Sequence, residues 1–152
     1  MQDLAISARL DSGALYVVAP DRLAIRDRIA RLEAAMMAAT DQHIHIEPAH
    51  RFAQGLYSRE VVMPAGTVAT GHIHAQEHIC IISAGRCEVI SETLGARIVE
   101  APATFIVPRG TKNCVRAITD TVWTTVHATE LRDVAEIEAA MLLPTFEPEL
   151  LA

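Results

Sequence analysis

The chain has 152 residues, of which 51% are hydrophobic, with a formal net charge of −6 and three cysteines. This length suits one domain with its own core, and the composition excludes a disordered chain. The odd cysteine count without a CxxC pair argues against a disulfide framework, and the acidic balance argues against nucleic-acid binding.

We expect a single domain over 1–152 that has no membrane partner. No apolar run of about 18 residues is present to span a bilayer. The N-terminal sequence MQDLAISARLDSG lacks the basic-then-apolar order of a signal peptide, so a cytoplasmic location is predicted.

The first predicted element is an amphipathic helix over about 20–40. Its charged residues, Arg26 among them, are assigned to the other faces of the helix. The helix is expected to cover the core of its own domain, and contact with a second subunit is the alternative. The apolar residues at helical spacing are Ile25, Ile29, Leu32 and Met36.

Between 43 and 129 the pattern changes to short alternating segments separated by turn residues, with no helical pattern between them. This arrangement predicts an antiparallel all-β sandwich or barrel. In the first segment, His43 and His45 are expected to face solvent, with Ile44 and Ile46 inward. The nine predicted strands read HIHIE, GLYSREVVM, GHIH, HICIIS, RCEVISE, ARIVEA, TFIVP, NCVRAI and TVWTTVHA.

A second helix is predicted over 131–143, after the β region. Asp133 and Glu136 have the spacing of a capping box, and Pro144 ends the helix. The apolar positions of this helix are Val134, Ile137 and Met141.

The stretch GHIHAQEHICIISAG contains three histidines in seven positions. Residues two apart on a strand face the same way, so His72 and His74 can direct both imidazoles to one point. On a straight strand His78 would lie about 20 Å from His72, too far to share an ion. The chain must therefore turn at 75–77, which brings His78 beside the other two.

The glycines around these histidines complete a known pattern. Gly66, five residues, His72 and His74, three residues, His78 and six residues before Gly85 resemble the first motif of the cupins, G(X)5HXH(X)3,4E(X)6G. His78 stands where that family has Glu. The resemblance implies a cupin-type double-stranded β-helix, or jelly-roll barrel, flanked by an N-terminal and a C-terminal helix, with a divalent transition metal as cofactor.

The second cupin motif, G(X)5PXG(X)2H(X)3N, is matched only by 108–110. Pro102 stands for its leading glycine, Asn113 for its histidine and Ala117 for its asparagine. The resemblance covers about 52–129. The stretches GLYSREVVMPAGT, GHIHAQEH, APATF and TDTVWTTVHATE also resemble a group of small cupins encoded by bacteriophages and prophages.

The metal shell predicted from these residues comprises His72, His74, His78 and His127. His127 is the candidate for the missing fourth ligand, because a hairpin at 119–120 would set it at the height of Asn113. Glu77 and Asn113 are alternative members. Three neutral imidazoles suit Fe, Zn, Ni or Mn, whereas Glu77 in place of His78 would favour non-haem Fe(II).

Three functions remain open on the sequence. The first is a structural or virion-associated assembly module, located in the host cytoplasm or the virion and contacting other virion proteins. The second is a metal-dependent enzyme, an Fe(II) oxygenase or an isomerase, and the third is a small-molecule sensor. The inward positions Cys80 and Ile82 and the apolar strands at 96–101 and 104–108 predict a dry inner wall, which favours the first. A homo-oligomer is expected in each case.

Overall fold

A computed structural model of the protein describes residues 4–7 and 22–143. Pro144, the predicted end of the second helix, lies outside this part of the chain. The helices are α1 (Arg22–Ala38) and α2 (Val134–Met141), with a 3₁₀ turn at Thr40–Gln42. The strands are β1 (Leu4–Ser7), β2 (Ala49–Ala53), β3 (Leu56–Met63), β4 (Thr67–Thr70), β5 (Ile73–His74), β6 (His78–Ala84), β7 (Arg86–Ser91), β8 (Gly95–Glu100), β9 (Ala103–Val107), β10 (Asn113–Ala117), β11 (Thr121–Ala128) and β12 (Leu142–Leu143).

The strands form two five-stranded antiparallel sheets and one two-stranded pair. The first sheet has the order β1-β4-β10-β7-β8, the second sheet has the order β2-β3-β11-β6-β9, and β5 pairs with β12. The chain crosses repeatedly between the two large sheets, for example from β3 to β4 and from β10 to β11. This alternation is the double-stranded β-helix of a jelly roll, so the predicted all-β fold class is confirmed.

The strand predicted at HIHIE is wrong. Residues 44–48 form no strand, and the next strand, β2, begins at Ala49. Alternation alone does not make a strand, because a backbone ladder is also required, and this segment has only an isolated bridge at His43. The predicted facing nevertheless holds, since His43 and His45 are exposed whereas Ile44 and Ile46 are half-buried.

The core lies between the two large sheets, where inward side chains from both meet. Successive side chains of a pleated strand point to opposite faces, so every second residue faces the core. In β6, for example, every second residue from His78 to Ile82 is buried. The largest members of this core include Met63, Ile82, Val107 and Trp123.

Helix α1 covers the outer face of the first sheet. Ile25, Ile29 and Met36 are buried against Val68 of β4 and Cys114 of β10, with Leu32 partly buried beside them. The helix therefore packs on its own barrel, as expected. No helix in the described ranges is long and apolar enough to cross a membrane.

A buried ion pair fastens α1 to the barrel, which corrects the assignment of Arg26 to an outer face. Arg26 is 6% exposed, and its guanidinium donates to the carboxylate of Glu92 and to the carbonyl of Gly110. Glu92 also accepts from the backbone N–H of Lys112 at 2.9 Å. A charge in such surroundings persists only with a partner, so each member depends on the other.

One motif glycine is required by the backbone. Gly85 has φ +87°, and a Cβ at this position would lie 2.0 Å from the carbonyl oxygen of Asp120. The close approach of two turns, rather than the metal site, therefore explains this glycine.

We predict that Arg26→Ala will lower the free energy of unfolding by about 3–5 kcal/mol, because it leaves the carboxylate of Glu92 buried without its cation. Urea unfolding measures this change. Arg31→Ala is the matched control, since Arg31 pairs with Asp27 on the same helix but both side chains are exposed; a loss below about 1 kcal/mol is expected there. Equal losses in the two variants would contradict a structural role for the buried pair.

Candidate metal centre

Three imidazole rings meet at one end of the barrel. His74 lies at the end of β5, His78 at the start of β6 and His127 near the end of β11. One nitrogen atom from each ring lies within 4.8 Å of the others. His78 and His127 are 6% and 3% exposed, and His74 is half-buried. The three rings thus form a compact, nitrogen-only cluster.

Strand register brings two of these rings together. Strands β6 and β11 are neighbours in the second sheet, with Ile79 opposite Val126. His78 and His127 are the next residues along each strand, and both face the barrel interior. Their ring centroids lie 4.7 Å apart.

The third ring arrives through the turn predicted between His74 and His78. Strand β5 ends at His74 and β6 begins at His78 in a different sheet. The ring centroids of His74 and His78 lie 4.3 Å apart, and the His74 ring stacks on that of His127 at 4.8 Å. The predicted turn is therefore present, and it closes the cluster.

The prediction that His72 and His74 share a strand is wrong. β4 ends at Thr70 and β5 begins at Ile73, so His72 lies in the break between strands of different sheets. Period-two facing does not continue across such a break. His72 lines the same cavity but does not belong to the group of three. Its role as a ligand stays a prediction.

The two alternative ligands lie in different surroundings. Glu77 is exposed and does not line the cavity. Asn113 lines the cavity from β10, and its buried Oδ1 has no hydrogen-bond partner among the described residues. β10 and β11 belong to facing sheets rather than to one hairpin ladder. Asn113 and His127 therefore approach the site from opposite walls.

Burial favours the neutral form of His78 and His127. Loss of solvent lowers the pKa of His78, and its hydrogen bond with the Gln76 carbonyl opposes this shift. Burial, followed by the charge of His78, lowers the pKa of His127 to about 4. Neutral imidazole is the form that binds a metal. Nδ1 of His127 is buried and accepts no hydrogen bond from the described residues, so its lone pair is available to bind a metal ion.

Cys80 lies one inward position beyond His78 but does not extend the donor set. Burial raises the pKa of its thiol to about 12, and its sulfur is not among the three groups that converge at the site. Its side chain is fully buried among the core residues. Cys80 therefore contributes to the packing of the core.

The histidines open onto a cavity of about 110 Å³ inside the barrel. A volume of this size holds several water molecules, or a small organic molecule beside an ion. The residues next to the histidines along the second sheet are Thr125 on β11, with Arg59 and Cys80 opposite it on the adjacent strands. One step further inward, Trp123 lies opposite Val61 and Ile82.

The inner wall is thus less dry than the sequence predicted. Arg59, Thr125 and Asn113 line the cavity, and α2 adds Glu138. A dry inner wall was predicted from the continuation of β6 and from two apolar strands. The residues of the C-terminal helix were not included in that prediction. A helical projection could have found Glu138, because it lies four residues after Val134 on the flank of the predicted apolar stripe.

Tyr57 also belongs to the surroundings of this site. It is 4% exposed, and its ring lies against that of His127 with centroids 6.3 Å apart. Its hydroxyl and Nδ1 of His50 are joined by a hydrogen bond of 2.8 Å. Tyr57 thus packs against His127, and only the pairing of β3 with β11 reveals this contact.

No family model matches the chain, and no curated protein matches it. Among solved structures, it is similar to KdgF from Halomonas sp. (20% identity, TM-score 0.49, 58% of this chain and 81% of that chain). It is also similar to an RmlC-like cupin with a double-stranded β-helix fold from Methanocaldococcus jannaschii (16%, 0.48, 55% and 80%). A third is an acetylacetone dioxygenase from Acinetobacter johnsonii (18%, 0.46, 55% and 59%). These similarities are of fold.

We predict that the metal-free protein loses stability as the pH falls from about 6.5 towards 4. The pKa of His127 is about 4 in the folded chain and 6.5 in its ordinary state, so the unfolded chain binds more protons in this window. This contribution to the free energy of unfolding is complete above the higher of the two pKa values, 6.5, and amounts to about 3 kcal/mol.

Urea unfolding of chelator-treated protein between about pH 7 and pH 4 measures this effect. His127→Gln is the comparison, because it removes the titrating ring, while His78, whose pKa is also lowered by burial, still contributes in the same direction. The variant should show a flatter dependence over this range. The same pH dependence in both proteins would contradict the assignment to His127.

Proposed function

We propose that the protein binds one divalent transition-metal ion through His74, His78 and His127, and that the ion acts on a small organic molecule in the adjoining cavity. The observation that carries this proposal is the convergence of two buried imidazoles and one half-buried imidazole, with nitrogen atoms within 4.8 Å, at the wall of that cavity.

The donor set fits such an ion. Three neutral nitrogen ligands suit Fe, Zn, Ni or Mn and leave coordination positions open. A metal in this setting can polarise a bound oxygen atom or supply a site for O₂. His72 and Asn113 line the same cavity and remain candidates for a further ligand.

The chain's own side chains give the cavity a polar and an apolar part. Arg59 can hold an anionic group, and Glu138 can accept a proton from a bound molecule. Trp123, Val61 and Met63 exclude water from the other end. The dry wall expected from the sequence favoured an assembly module. The polar and apolar parts of the cavity instead support the enzyme hypothesis. An oxygenase and an isomerase both remain compatible with it.

We predict about one equivalent of metal per chain in protein purified without a histidine tag, measured by mass spectrometry. His78→Ala should lose nearly all of it, because one of three nitrogen ligands is gone, and Glu77→Ala is the matched control one residue away. His74→Ala and His127→Ala should behave as His78→Ala does, and His72→Ala should lose less. Full metal content in His127→Ala together with none in His72→Ala would refute the proposed ligand set.

A second candidate function, an assembly module, is favoured by the outer face of the second sheet. No described element covers this face, whereas α1 covers that of the first sheet. Val126, Ile79 and Ile106 lie side by side across three strands, and Ile79 and Ile106 are 42% and 60% exposed. Val62 and Leu56 are also exposed at the two ends of β3, with Ser58 and Glu60 at the outward positions between them.

We propose a second copy of the chain as the occupant of this face. The outward positions of β6, β9 and β11 carry no charged residue, so chains with a net charge of −6 repel each other least there. Arg51 and Glu60 at the rim have opposite signs, which suits a self-complementary interface. A virion role would use the same face. The free thiols of Cys80, Cys87 and Cys114 fit a cytoplasmic location.

We predict a homo-oligomer in solution, which Ile106→Glu should convert to a smaller species, because it places a charge on the most exposed residue of the apolar row. Sedimentation velocity measures the change. Met37→Glu is the control, since Met37 is 63% exposed on α1, away from this face. A monomeric wild type, or equal dissociation by both substitutions, would rule out this interface.

A further inference from the structure

The C-terminal segment Val134–Leu143, which consists of α2 and β12 and is called here the C-terminal cap, holds one of the three histidines in place. Within the described chain, the only ladder partner of β5 is β12, with Leu142 opposite His74 and Leu143 opposite Ile73. The N–H of Ala75 donates to the carbonyl of Met141 at 2.8 Å. The backbone of His74 is therefore fixed on this side by the cap.

The cap also supports a second histidine through Tyr57. Ile137 and Met141 are 2% and 4% exposed and pack with Tyr57 in one buried cluster. Tyr57 in turn stacks on His127. Removing the apolar face of α2 would take away the packing that holds this ring against His127.

The cap closes the cavity as well. Four of its residues contribute to the wall, from the histidines to the outer end. These residues are Ile137, Glu138, Met141 and Leu142.

We propose that the C-terminal cap positions the metal ligands, so that docking of the cap and binding of the metal stabilise each other. This proposal rests on the function proposed above. His74 and His127 have their observed geometry because the cap is docked, and a metal that requires this geometry stabilises the docked state. The two effects are equal in magnitude, because coupling between two binding equilibria is reciprocal.

The cap has the features of a segment that depends on docking. Helix α2 has eight residues, fewer than an isolated helix needs in water. Its N-terminus is capped by Asp133, whose Oδ1 accepts from the N–H of Glu136. That single cap hydrogen bond is worth about 1 kcal/mol, so burial of Ile137 and Met141 supplies the larger part of its stability. Local opening of the cap thus needs no unfolding of the barrel.

The test compares two buried isoleucines in the full-length protein. Ile137→Ala should weaken zinc affinity at least about tenfold, the effect typical of residues that orient metal ligands. Ile29→Ala is the control, because Ile29 is 3% exposed, packs on the outer face of the first sheet and does not line the cavity. Both alanine variants should have a lower free energy of unfolding, but only Ile137→Ala should bind zinc more weakly. Ile137→Leu should bind zinc about as tightly as the wild type. Competition with a chromophoric chelator measures zinc affinity.

Hydrogen exchange of the wild type provides an independent measurement if Ile137→Ala does not fold. Zinc should slow amide exchange in 134–143. The slowing there should be at least as large as the slowing of surface amides elsewhere on the barrel. Equal zinc affinity in the two alanine variants, or no protection of 134–143 by zinc, would refute the role of the cap. Absence of zinc binding by the wild type would instead refute the proposed metal site.

Discussion

The packing of three imidazole rings against one another, two of them buried and one half-buried, is the constraint on which the described site depends. In this space a charged imidazole is unfavourable, and the lowered pKa values of His78 and His127 express that cost. The rings must therefore be held close together while neutral. Three separate elements provide this, namely the adjacent strands β6 and β11 and the short strand β5. The cluster exists because the barrel and the C-terminal cap hold it.

A chain of contacts links α1 to the same cluster. The carbonyl of His74 accepts from the N–H of Gly110 at 2.8 Å, and the carbonyl of Gly110 accepts from Arg26. Arg26 is fixed by the buried carboxylate of Glu92. Gly110 has φ +74°, which explains the glycine in the only matched part of the second cupin motif. The motif thus serves the backbone next to the site, although its histidine is absent.

The two sheets play different parts because their outer faces differ. The first sheet is covered by α1 through Ile25, Ile29 and Met36, and it contributes Asn113 to the cavity. The second sheet contributes His78 and His127 inward and leaves Ile79 and Ile106 exposed outward. Because facing alternates along a strand, one strand such as β6 can serve the metal site and an intermolecular surface at once.

The sequence by itself determined the all-β fold, both helices, the turn between His74 and His78, and the inclusion of His127 among the candidates. These follow from local periods, turn residues and glycine spacing, which the chain carries within short windows. Only the tertiary structure decided that His72 stands apart from the group of three, that Arg26 is buried, and that the cap brings Glu138 to the cavity. Each of these depends on contacts between elements distant in sequence, because strand breaks and sheet partners are set by pairing and not by local pattern.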